Sequence, residues 1–347
     1  MLLSRADRPE PSPLFWQQDG GWAEPVVGVF GIDLQTKLAY LFIDLILPLA
    51  LGLLCRRQGW GSRDLFQQMI TINICVIYPV LSVLTLWALP LQPALIWLPL
   101  IGLLLCAIPG LAAYWRLRGK FCSDLDKGSY LLSAILSNTT TLGGLCAFIL
   151  YSETGYAYAQ MIVMLQNVVM FMICFPLAQY YYQKSIGSSL KGLTFSSLFI
   201  NRNQLPVVGM AAGILLNLSG LIRPAALAPL LDPLVHIGAW TALIPIGFAI
   251  DTAGMRCYYT TLLDLLPIKF ILTPVAAYWL SSLFIHDEII LNTIVILAAM
   301  PTAINSIIAV QIHKLNVNIA AAAFVLTTAA FIGIELPALL VWLTILP

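Results

Sequence analysis

Apolar residues in this chain come in long runs, cut by short clusters of polar residues, glycine and proline. A bilayer core needs about 20 mainly apolar residues per helix. Cutting at the clusters gives ten segments of that order: 38–56, 66–89, 93–115, 129–151, 158–182, 204–221, 227–254, 261–284, 289–312 and 317–346. The pattern predicts an all-α polytopic membrane protein with ten transmembrane helices. Residues 1–37 lack a basic-led apolar stretch of the cleavable-signal type. They are expected to form an extramembrane arm, with Phe15, Trp16 and Trp22 suited to the interface.

Composition agrees with that pattern: 60% of the 347 residues are hydrophobic and only 10% charged. One soluble domain of this length could not hide so much apolar surface, so the outside must be apolar too. A net charge of +1 gives no electrostatic case for nucleic acid as a partner. The seven cysteines show no CxxC or Cys/His spacing and read as small packing residues, so neither a metal nor a cofactor is expected. Arg56, Arg57, Arg63, Arg116, Arg118, Lys120, Lys127, Lys184, Lys191, Arg202, Arg256 and Lys314 follow odd-numbered segments, whereas Arg5, Arg8, Lys37 and Arg223 fall on the other side. Because cytoplasmic loops retain positive charge, both termini are expected outside a cell membrane crossed many times.

A shift of 161 positions superposes separate features. Gly52 and Gly59 fall on Gly213 and Gly220; Leu165 and Phe175-Pro176 fall on Leu326 and Leu336-Pro337; Ala159 falls on Ala320. The middle segments need a gap of a few residues. Residues 38–182 and 204–347 are thus expected to be two five-helix repeats joined by a cytoplasmic connector, 183–203. Five is odd, so the second repeat is inverted, as in many secondary transporters that hold substrate where discontinuous helices meet.

The fourth segment of each half carries the interruption. One reads Ser137-Asn138-Thr139-Thr140-Thr141-Leu142-Gly143-Gly144, roughly 12 to 22 Å into the bilayer at 1.5 Å per residue. The other reads Met300-Pro301-Thr302-Ala303-Ile304-Asn305-Ser306. Pro301 should free the carbonyl of Leu297, and the two glycines ease unwinding. Unpaired backbone at that depth is tolerated only inside protein or along a wet cavity. Half-helix N-termini at such a cavity favour an anion. The candidate substrate-binding residues are Asn138, Thr139, Thr140, Gly143, Pro301, Thr302 and Asn305, with Asn167 of the fifth segment as a further polar candidate. The plainer alternative is Thr and Ser bonding back to the preceding turn and an ordinary proline kink.

These residues resemble the auxin efflux carrier family, which shares a superfamily with the bile acid sodium symporters. The resemblance covers roughly residues 38–346. It rests on Pro301-x-x-x-Asn305 with Val-Leu-Thr-Thr-Ala-Ala in the last segment, on Asn138 to Gly144, on Leu-Leu-Asn-Leu-Ser-Gly at 215–220, on Pro-Ile-Gly at 245–247 and on Ile-Lys-Phe-Ile-Leu-Thr-Pro at 268–274. It implies a scaffold domain, a transport domain in which two broken helices cross, and movement of small organic anions. Two features depart from it. Thr140 stands where the family often has glycine, with no proline after Gly143-Gly144, and residues 299–306 lack the acidic signature of the bile acid branch.

Charged groups at membrane depth cost several kcal/mol unless paired or hydrated, so each marks a candidate. Asp44, Asp251, Lys269 and Glu335 are the ion-coupling candidates, with Glu335 favoured as a proton site. Lys269 is placed to pair with Asp251 or else to snorkel, and His236 reads as packing. No catalytic triad order, HExxH, Walker loop or dinucleotide fingerprint is present, so an enzyme has no positive support. The leading expectation is a permease of small organic anions in a lipid bilayer, proton-linked or uncoupled. A sodium-coupled symporter, a non-transporting sensor and a channel are the alternatives, and a homodimer stays open.

Overall fold

The structure is a computed structural model and describes residues 39–40, 42–187, 205–249 and 255–345. The arm of residues 1–37, most of the connector and Asp251 lie outside the described residues. The chain runs through α1 (Leu47–Gln58), α2 (Arg63–Ile72), α3 (Tyr78–Ala88), α4 (Trp97–Arg116), α5 (Asp124–Ile135), α6 (Gly144–Val163) and α7 (Phe175–Ser185). It continues through α8 (Leu205–Leu218), α9 (Leu231–Ala249), α10 (Thr273–Ser282), α11 (Glu288–Ala298), α12 (Ile304–Ile312), α13 (Val317–Ala330) and α14 (Leu336–Ile345).

Among the described residues, five helical stretches are long and apolar enough to cross a membrane: Asp64–Ala88, Trp97–Arg116, Ala225–Phe248, Tyr259–Ser282 and Val317–Trp342. Two of the other expected segments, those containing α5–α6 and α11–α12, are interrupted midway, while the first and sixth are described over Phe42–Gln58 and Leu205–Leu218. The expected loop between the fourth and fifth segments is instead a one-residue reversal inside α6. Ser152 has φ 55° and ψ −146°, and Gly155 folds back so tightly that a Cβ there would lie 2.6 Å from the Ala147 carbonyl oxygen.

Proline explains most of the π-turns. Those at Phe42–Ile46, Asn73–Ile77, Met170–Cys174, Ile268–Leu272 and Phe331–Glu335 are each followed two residues later by Pro48, Pro79, Pro176, Pro274 or Pro337. A proline ring collides with the carbonyl four residues back and offers no N–H to it. Widening the preceding turn by one residue relieves the collision. The residue before the proline then bonds five back, as from Phe175 N to the Met170 carbonyl and from Leu336 N to that of Phe331.

Glycine sets the closest helix contacts. A Cβ on Gly52 of α1 would sit 2.1 Å from the Ile244 carbonyl oxygen of α9, and one on Gly247 of α9 would sit 2.2 Å from that of Leu49. Between α8 and α3, Gly209 would meet the Pro79 oxygen at 2.6 Å and Gly213 those of Ser82 and Val83 at 3.0 Å. Backbone-to-backbone approach of this kind holds membrane helices together by dispersion where the hydrophobic effect has little to offer. Asn217 near the end of α8 donates to the carbonyls of Leu86, Trp87 and Leu89 at the end of α3.

Two apolar cores result. One holds Leu45, Leu81, Leu98, Leu145, Leu243 and Leu297, the other Tyr130, Leu131, Phe171, Val310 and Ala323. Each interrupted segment crosses from one core to the other: α5 and α12 lie in the second, α6 and α11 in the first. Ile307 and Val325 pack against both. At one edge Arg223 donates to the Leu84 carbonyl at 2.9 Å and forks onto Glu153, with Nη2–Oε2 at 3.1 Å, tying the α8–α9 connection to the bend of α6.

Gly52→Ala should cost about 1–3 kcal/mol through overpacking and lower the thermal midpoint in detergent. Gly333→Ala, where an added Cβ meets nothing within 4 Å, should leave the midpoint unchanged.

Candidate functional site

The two interruptions meet. α5 ends at Ile135, and Leu136 turns extended with φ −87° and ψ 108°. α11 ends at Ala298, and the chain is extended again at Ala303, with φ −79° and ψ 152°. Between these points Ser137 and Thr302 form an antiparallel bridge: Asn138 N donates to the Pro301 carbonyl at 2.7 Å and Ala303 N to that of Leu136 at 2.9 Å. Each broken stretch thus supplies the backbone partners that the other lost. The Leu297 carbonyl, expected to be freed by Pro301, accepts from Met300 N at 3.4 Å in a tightened turn.

Side chains from neighbouring helices fix the crossing. Thr302 is fully buried; its N–H donates to Thr327 Oγ1 at 3.0 Å and its hydroxyl to the Ser133 carbonyl at 2.9 Å. Thr139, in the π-turn Thr139–Gly143, donates to Gln166 Oε1 at 2.5 Å. Lys269 is 1% exposed, so it does not snorkel. Its Nζ donates to the Ala134 carbonyl at 2.9 Å and to Ser137 Oγ at 2.8 Å. Its nitrogen thus lies at the last turn of α5, beside the negative end of that half-helix. The starts of the π-turn leading into α6 and of α12 bring positive helix ends to the same place.

A small void adjoins the break, lined by the polar side chains of Tyr78, Thr140, Thr141 and Tyr156 and closed by Leu145 and Val235. Tyr78 Oη lies 2.7 Å from Thr141 Oγ1, joining α3 to the break. The void measures about 10 Å³, enough for roughly one water and too little for a carboxylate. The cavity expected from the sequence is therefore present as polar lining and not as space. The buried Asn138 amide nitrogen has no hydrogen-bond partner among the described residues.

The other expected residues distribute differently. Pro301 is buried and acts through its carbonyl. A Cβ on Gly143 would meet Met300 Cγ at 3.2 Å and Leu297 Cγ at 3.3 Å, so this glycine lets the start of α6 pass over α11 and does not line the void. Asn305 is exposed on the first turn of α12, so the structure does not bring the two asparagines into one buried pocket. The side chain of Asn167 lies outside the described residues, as does Asp251. Asp44 is buried and engaged by His236 Nδ1 at 2.6 Å and Trp240 Nε1 at 2.9 Å; His236 thus has a polar partner beyond packing. Glu335 is half-buried in the π-turn Phe331–Glu335, with no partner among the described residues.

Sequence reasoning placed Ser137 in the interruption but not among the site residues, and it missed Gln166 and Thr327 as members of the crossing and Tyr78 and Tyr156 as lining. Gln166 carried a signal, being an amide inside an apolar segment. A tyrosine on an apolar helix has no such signal.

Replacing Thr302 by Val keeps shape but strips the Ser133 carbonyl of its donor, and should cost about 1–2 kcal/mol in thermal unfolding. Asn305→Ala, at an exposed position, should stay within about 0.5 kcal/mol.

A scan against protein-family models finds no match for this chain, and a search of curated proteins finds none either.

Proposed function

We propose that this protein is a secondary transporter of small organic anions, with ten membrane spans arranged as two inverted repeats of five and alternating access as its mechanism. The observation that carries the reading is the crossing itself. Two extended stretches pair in the interior of an apolar bundle, beside the buried Lys269 nitrogen, two helix N-terminal ends and an amide donor unpaired among the described residues. Fixed positive groups of this kind in a low-dielectric interior favour a carboxylate over a neutral or cationic solute.

Features 161 positions apart support the repeat. The π-turns Met170–Cys174 and Phe331–Glu335 are related by that offset. Gly59 and Gly220, with φ of 69° and 72°, terminate α1 and α8. Gly52 rests on the Ile244 carbonyl and Gly213 on that of Val83, and Val83 precedes Ile244 by the same interval. Gln166 and Thr327, which steady the two breaks, are so related too. Glycine contacts join α1 to α9 and α3 to α8, which supports a scaffold against which the helices of the crossing would move.

The 10 Å³ void implies that substrate enters only when the α3 and α9 side parts from the break. Loops rich in Lys and Arg would face the cytoplasm of a cell membrane, with both termini outside. Glu335, lacking a partner among the described residues, is the better candidate for a coupling proton than Asp44, whose carboxyl group is already engaged.

Proteoliposomes offered a panel of mono- and dicarboxylates should show saturable, sodium-independent flux at carrier rates. Lys269→Met and Asn138→Ala should each reduce apparent affinity about tenfold or more in protein that remains folded. Absence of flux over the whole panel would remove the reading, and flux that requires sodium would favour the symporter alternative. Glu335→Gln should flatten the pH dependence of transport; an unchanged profile would eliminate Glu335 as the proton site.

A further inference from the structure

Outside the crossing, the end of α4 and the segment Tyr259–Leu262 frame an open cleft of about 490 Å³. Its polar lining is Arg116, Arg118, Lys120, Thr260, Thr261 and Asp264. Three cations face one carboxylate there, and that carboxylate is occupied. Asp264 accepts from Lys120, from the Tyr130 hydroxyl at 2.8 Å, and lies 3.6 Å from Arg116 Nε. The Lys120 ammonium is held in place, 4.0 Å from the Tyr130 ring centre. Arg118 is exposed with no ion-pair partner among the described residues, and the Arg116 side chain is 64% exposed. The cleft therefore has positive charge to spare, with two hydroxyl donors opposite.

We propose that this cleft binds the phosphate headgroup of an anionic phospholipid. Its position argues for a lipid over a free anion. α4 is an apolar helix of 20 residues that ends at Arg116, so the cleft stands where the hydrocarbon layer stops. Below it on the same helix, Leu111 and Trp115 are 70% and 75% exposed, and Leu263 on the rim is 50% exposed. Apolar surface immediately beneath a basic cleft matches a headgroup with its acyl chains, and basic pockets between membrane helices are a known form of headgroup site. A free phosphate would make no use of that surface.

The full-length protein in neutral detergent can be titrated with short-chain phosphatidylglycerol, short-chain phosphatidylcholine or inorganic phosphate, following the thermal midpoint. Phosphatidylglycerol should raise it saturably, and the other two should not. Each arginine near a membrane surface is worth roughly fivefold in affinity, so Arg116→Gln with Arg118→Gln should shift half-saturation roughly 30-fold. Arg118→Gln alone, which leaves the Asp264 network intact, should shift it roughly fivefold and decides the matter if the double variant does not fold. Equal responses to the two lipids, an equal response to phosphate alone, or variants that titrate like the parent would each overturn the proposal.

Discussion

Every N–H and C=O carried into an apolar layer must find a partner there, since water is absent. An intact helix satisfies this by itself, but a helix broken halfway does not. In this protein the solution is reciprocal: the extended residues after α5 and those after α11 pair with each other through two backbone hydrogen bonds. Neither break is sustainable without the other. Thr302, Thr327 and Ser133 then hold one strand while Gln166, Lys269 and Ser137 hold its partner. Nearly all polar groups at the crossing are consumed in this way. Among the described residues the buried Asn138 amide nitrogen is a notable exception.

The same constraint separates what is fixed from what has freedom. Contacts such as Gly52 against Ile244 and Gly209 against Pro79 put backbone on backbone and leave no room for sliding. By contrast, α3 meets the break through the Tyr78–Thr141 hydroxyl contact, and Ser82 reaches Gln160 at 3.3 Å. Hydroxyl pairs of this kind exchange readily for water at a modest net cost of about 0.5–1.5 kcal/mol. A boundary held by such pairs around a nearly empty void is where parting would be cheapest.

Much of the fold was legible in the sequence because its causes are local. Proline two residues beyond each of five π-turns, paired glycines and apolar runs are all visible without coordinates. So was the presence of the two interruptions, since hydroxyl residues, glycine and Pro301 are placed where a helix has least reason to continue. The partners were not legible. That Lys269 would reach the end of α5 instead of snorkelling, or that Asp44 would meet His236, depends on which faces two distant helices present to each other. Asn305 illustrates the limit well: by sequence it mirrors Asn138, yet the turn it begins exposes it.

Ser152 holds a positive φ without the freedom of glycine, a conformation that costs on the order of 1–3 kcal/mol. It reverses the chain within one residue, so hardly any slack separates the start of α6 from Glu153 beyond it. The inner pairing at Asn138 and the outer Arg223–Glu153 bridge are thus mechanically in series. A tug at one end reaches the other without being absorbed by a loop.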